Sequence, residues 1–174
     1  MTSRVILSVA GSDRPGLTQA LADAVLEAGG NWLESHLSRL GGTYVGSVLV
    51  ELDPERLPAL ESHIHAVDAS GLRVTIVPAG DEPQPEGKPL WIELVGQDRR
   101  GIVREVTGVL TALGVNIEDF STGTENSAWS GELLFRMNAV VIVPRGTTAE
   151  DVQSALEAIS GEIMVDFTFS PPDN

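Results

Sequence analysis

The chain has 174 residues, 42% of them hydrophobic and 21% charged, an ordinary composition for a folded globular protein. Eleven Lys and Arg against 25 Asp and Glu give a net charge of −14 with no basic run. That argues against direct nucleic-acid binding, because affinity for phosphates comes from cations that displace counterions. The absence of cysteine excludes disulfides, thiolate metal sites, iron–sulfur clusters and cysteine nucleophiles, and it fits the cytoplasm.

The N-terminal run MTSRVILSVAG is too short for a membrane span and lacks the cleavage region of a signal peptide, so no membrane partner is expected. Within it, RVILSVA is apolar and β-branched and reads as a strand. Gly11 is read as ending that strand sharply, in a backbone conformation closed to other residues. Asp13 is expected to cap the following helix by accepting from the Gly16 N–H, with Pro15 placed where no donor is needed. Leu17, Leu21, Ala24, Val25 and Ala28 form one apolar helical face, and Gly29-Gly30 stops the helix.

Two strand-like runs, NWLESHLSRL and TYVGSVLVEL, are joined by Gly41-Gly42, a strong hairpin signal. Asp53 and Pro54 open a second helix, whose buried face is Leu57, Leu60, Ile64 and Val67. LRVTIVP is a fourth strand, and residues 79–88, rich in Pro, Gly and acid, read as a linker.

From residue 89 the order repeats. PLWIELVG is a strand, and Ile102, Val103, Val106, Val109, Leu110 and Leu113 are expected to face a core from a helix. NIEDFSTG and ELLFRMNAVVIV are hairpin strands. Thr147 with Glu150 is expected to form a capping box for a helix with the stripe Val152, Ala155, Leu156 and Ile159. EIMVDFTF is the last strand. Gly11, Asp13, Arg14, Gly16, Gly29 and Asn31 recur as Gly96, Asp98, Arg99, Gly101, Gly114 and Asn116, every pair 85 apart. A constant offset across a turn and a helix marks an internal repeat. The expected caps Asp53 and Thr147 lie further apart than 85, which places extra residues in the second hairpin, around TENSAWSG.

The predicted class is α+β: two β-α-β-β-α-β units in tandem, residues 1–78 and 89–170, each a ferredoxin-like antiparallel sheet with both helices on one face. Units this small, with an uncovered sheet face and open edges, are expected to pair with each other or with a second chain, so a homo-oligomer is expected.

The turn Gly11-Ser12-Asp13-Arg14-Pro15-Gly16 allows two readings. It is a strand-to-helix connection that needs these residues for its own geometry. It is also a small-anion site, because unpaired N–H groups and a partial positive charge stand at a helix start. Asn31 follows the helix, where its amide is able to donate to and accept from a zwitterion, but it lies at the opposite helix end from the turn.

On G-S-D-R-P-G-L with an asparagine after the helix, the chain resembles a tandem ACT-domain protein over about residues 4–78 and 89–169. Its two-domain layout is most similar to the glycine-cleavage-system transcriptional repressor family. The resemblance implies two ACT sandwiches that sense a small amino acid, with glycine or serine favoured, where neighbouring domains meet. It also implies action through a regulatory protein partner such as a DNA-binding activator, without cofactor or enzyme activity. Carried over by position, the first ligand site holds Gly11, Ser12, Asp13, Arg14, Pro15, Gly16, Leu17 and Asn31. The second holds Gly96, Gln97, Asp98, Arg99, Arg100, Gly101, Ile102 and Asn116. Arg100 in place of proline and Gln97 in place of serine set the second apart from the first.

Other chemistry is weakly supported. His63 and His65 are two apart on a predicted helix and point to different faces, so they are not expected to share a metal, and His36 stands apart from both. No G-x-S-x-G elbow, P-loop or G-x-G-x-x-G is present. Two alternatives remain: a scaffold of the same fold without ligand, and an acylphosphatase-like hydrolase using Arg14 and Asn31. Trp32 and Trp91 read as core or interface residues, and Trp129 as a partner contact or lid.

Overall fold

In the computed structural model the described residues are 2–12, 14–68, 71–80, 83, 85–126, 131–161 and 163–168. Asp13 and Trp129 lie outside them. The first unit runs β1 (Ser3–Ser12), α1 (Leu17–Glu27), β2 (Asn31–Leu40), β3 (Thr43–Leu52), a 3₁₀ turn (Pro54–Arg56), α2 (Leu57–Asp68) and β4 (Leu72–Pro78). The second runs β5 (Lys88–Gln97), α3 (Ile102–Ala112), β6 (Asn116–Asn126), β7 (Leu133–Val143), α4 (Ala149–Glu157) and β8 (Met164–Thr168). The chain divides into compact units at Met1–Glu82 and Pro83–Asn174. Lys88 is already in a strand, paired with Val143.

Each unit is a four-stranded antiparallel sheet, ordered β2-β3-β1-β4 in the first and β6-β7-β5-β8 in the second. This is the α+β sandwich expected from the element order. Alternate strand residues face the helices: Val5, Leu7 and Val9 of β1, and Val48, Val50 and Leu52 of β3, are buried against Leu21, Val25, Leu60 and Ile64. Leu90, Ile92 and Leu94 do the same in the second unit with Val106, Leu110, Val152 and Leu156. Trp32 packs half-buried on the first core, while Trp91 is half-buried on the strand face turned away from the second core.

Repeat geometry extends beyond the residues that match in type. Both first helices end in paired C-terminal bonds: Gly30 N–H to the Val25 carbonyl and Gly29 N–H to Leu26, both 2.9 Å, then Val115 N–H to Leu110 and Gly114 N–H to Thr111, both 3.0 Å. Both following strands carry a register shift at the same place, between Trp32 and Glu34 and between Ile117 and Asp119.

Several local expectations are corrected. Gly11 is not a turn residue; it sits in β1, paired with Tyr44 and Leu72. Glycine is required there because an added Cβ would stand 2.3 Å from the Gly71 carbonyl oxygen and 2.7 Å from the Leu72 Cα, which are backbone atoms with nowhere to go. The N-cap of the first helix is Gly16, at φ 91° in the left-handed region, and the expected cap from Asp13 lies outside the described residues. Gly101 repeats that at φ 90°. The capping box falls one residue later than expected, between Thr148 and Asp151: Thr148 Oγ1 accepts from the Asp151 N–H at 3.1 Å, and Asp151 Oδ2 accepts from the Thr148 N–H at 2.9 Å. Thr147 instead donates its N–H to Pro144 in the preceding turn.

Val103, expected in the core, is 41% exposed. It lies one residue past Ile102, about 100° round the helix, beyond the edge of the buried stripe. The extra residues of the second hairpin partly lengthen its strand, since β6 continues to Asn126.

Candidate ligand site

Each strand-to-helix turn places a helix start with a glycine N-cap beside the end of the central strand. Helical bonding begins with the Ala20 N–H to the Gly16 carbonyl at 2.9 Å, and with Glu105 to Gly101 at 3.1 Å. Among the described residues neither helix start has a side-chain acceptor, and the helix dipole adds positive potential at the first-turn N–H groups. Left-handed glycines at Gly16 and Gly101 let the chain enter the helix without a side chain over those donors.

The structure disperses the predicted site residues. Gly11, Ser12, Gly96 and Gln97 belong to strands, while Arg14, Pro15, Gly16, Asp98, Arg99, Arg100 and Gly101 form the turns. Leu17 and Ile102 are core residues, 6% and 3% exposed, and offer only backbone to a ligand. The Asp98 N–H is taken by the Leu133 carbonyl at 2.9 Å. Asn31 and Asn116 stand at the far ends of their sheets. Gly11 pairs with Tyr44 and Asn31 with Glu51, seven residues further along β3 or roughly 24 Å at about 3.4 Å per residue. The second unit has the same spacing, Gly96 with Phe135 and Asn116 with Ile142. One unit therefore cannot bring an asparagine to its own turn, and Arg14 with Asn31 makes no phosphate cradle within it. The Asn116 amide is already used, donating to Glu118.

Residue types alone do not mark the neighbours of the turns. Thr18 and Tyr44 hydroxyls are hydrogen-bonded at 2.6 Å beside the first turn. Their positions correspond to Val103 and Phe135 in the second unit, which line a recess of about 360 Å³ with Asp98, Arg99, Thr122 and Thr124. Beside the first turn, Ala10, Gly11, Gly71 and Arg73 line a recess of about 390 Å³. Glu105 pairs with Arg99. That hydrogen bond, chiefly, raises the Arg99 pKa above its ordinary value and lowers the Glu105 carboxyl below its own. The histidines lie elsewhere: His36 faces Glu34 at 3.2 Å on β2, and His63 of α2 meets Glu27 of α1 at 3.1 Å. Among the described residues, no three metal-type side chains converge and no helix is long and apolar enough to cross a membrane.

Two β-α-β-β-α-β sandwiches in tandem define a repeated ferredoxin-like α+β protein. The chain belongs to the ACT-domain family, whose models match residues 3–76 and 90–161. It is similar to an unknown protein from Galdieria sulphuraria, with 29% identity over 96% of this chain and 98% of the other and a TM-score of 0.81. It shares its fold with a protein described as a candidate glycine cleavage system transcriptional repressor, with 16% identity over 97% and 98% of the two chains and a TM-score of 0.70. No curated protein matches the sequence.

Proposed function

We propose that this protein is a cytoplasmic, non-enzymatic sensor of a small amino acid, with glycine or serine as the favoured ligand. It forms homo-oligomers and acts on transcription or metabolism through a protein partner, such as a DNA-binding activator, without touching nucleic acid. The observation that carries the reading is the exposed Arg14 beside a helix start whose N-cap is Gly16, in a glycine-bounded turn of an ACT domain. An arginine and free backbone N–H groups match a carboxylate, and the hydroxyls of Thr18 and Tyr44 add polar partners for a small ligand. The net charge of −14 supports a route through protein rather than DNA.

The test is a thermal-shift screen against the twenty amino acids. Stabilisation that grows with glycine or serine concentration supports the reading, since a ligand bound only to the native state must raise its stability. No shift with any amino acid rejects it in favour of a ligand-free interaction module, the alternative that the closed Arg99–Glu105 pair favours. Salt-sensitive binding to duplex DNA in a mobility assay would overturn the protein-mediated route.

A further inference from the structure

The two turns differ in what holds their arginine. In the second unit Arg99 makes a two-pronged pair with Glu105, Nη1 donating to Oε1 at 2.8 Å and Nη2 to Oε2. Glu105 belongs to the first turn of α3, so its carboxylate stands at the helix end where negative charge is favoured. In the first unit the matching position is Ala20, and α1 has no acid in its first turn. Arg14 lies against Gly71 and makes no hydrogen bond or ion pair among the described residues.

Resting on the amino-acid reading above, we propose that Glu105 occupies the second turn from within the chain, supplying to Arg99 the carboxylate that the first turn leaves to a ligand at Arg14. A ligand carboxylate at Arg99 has to displace a group tethered six residues away. Such a group competes at an effective concentration of about millimolar or above, and it already satisfies the bidentate geometry that a guanidinium prefers. The chain therefore takes one amino acid, at its first unit, and the second turn is a self-filled copy.

The experiment is arginine modification by phenylglyoxal, read at Arg14 and Arg99 by peptide mass mapping, with and without L-serine or glycine, in the native protein, Glu105→Gln and Ala20→Glu. In the native protein Arg14 is expected to react several-fold faster than Arg99, and the amino acid to slow Arg14 alone. Glu105→Gln is expected to raise Arg99 to the rate of Arg14 and make it protectable. Ala20→Glu is expected to slow Arg14 and remove its protection. Equal native rates, or protection of Arg99 in the native protein, overturn the inference. Rates that respond to both substitutions while neither amino acid protects either arginine uphold the self-filled turn and count against the amino-acid reading instead.

Discussion

The turns at Arg14 and Arg99 are built on one backbone plan and finished with different chemistry. Both start a helix from a left-handed glycine, at φ 91° and 90°, and neither cap residue has a side chain to bond the first turn. Beyond that the first is lined by hydroxyls and leaves its arginine without a carboxylate among the described residues, while the second has Val103 and Phe135 as walls and Glu105 on its arginine. The comparison teaches that the backbone frame alone does not define a site. What an arginine offers to a ligand depends on whether its own chain has satisfied it already.

The largest effect is expected from removing what holds the first frame. Leu21 is fully buried under α1, and Leu21→Ala should cost about 2–5 kcal/mol in a denaturant titration, through lost burial and the cavity left behind. A cost under about 1 kcal/mol would mean that α1 collapses onto the sheet and that its turn is not rigidly placed.

Next is the comparison itself. Arg14→Gln should weaken glycine or serine binding by roughly tenfold or more in calorimetry, the worth of one charge-assisted hydrogen bond. Arg99→Gln should leave affinity within about twofold, because the lost partner is Glu105 and not the ligand. The opposite ranking would exchange the roles of the two turns.

The shared frame predicts equal losses at its two glycines. Gly16→Ala and Gly101→Ala should each cost about 1–2 kcal/mol, because an L side chain is strained in the left-handed region, and nothing nearby within 4 Å blocks the Cβ at Gly16. A large cost at one and none at the other, in thermal melts, would show that the turns relax differently.

The smallest effect separates the units at their second helices. Thr148→Ala should cost about 1 kcal/mol and Thr147→Ala close to nothing, since only Thr148 caps α4. Hydrogen bonds from Thr148, its backbone N–H first, hold the Asp151 carboxyl below its ordinary pKa of 3.8. A lowered carboxyl pKa stabilises the fold above the unfolded value and loses that contribution as pH falls through the folded one. The difference between native protein and Thr148→Ala should therefore persist at neutral pH and shrink as pH falls below about 3.8. A gap that does not change with acid would show that the Thr148 hydroxyl, which also donates to Asp151 Oδ2, adds nothing to that carboxylate beyond the backbone bond.

Much was legible in the residues themselves, because it depends on signals a few positions apart. Period-two strands, apolar helical stripes, Gly41-Gly42 and Gly29-Gly30 specify the order β-α-β-β-α-β, and the 85-residue offset specifies that it occurs twice. What failed were choices between adjacent frames. Thr147-Thr148 followed by Glu150-Asp151 offers two overlapping capping boxes, and the preceding turn at Pro144 claims Thr147. Val103 fits a helical stripe by spacing, yet it sits where the recess leaves the helix uncovered.

Sequence by itself determined two β-α-β-β-α-β repeats, their glycine-bounded turns and a net charge of −14 with no basic run, since composition and periodicity act locally and add along the chain. Only the tertiary structure decided that Gly11 is glycine to let β4 approach β1, that the asparagines stand roughly 24 Å from their own turns, and that Arg99 is closed by Glu105 while Arg14 is not. The reason is physical. Strand pairing and side-chain trajectories join residues far apart in the chain, and an ion pair forms only where two side chains converge.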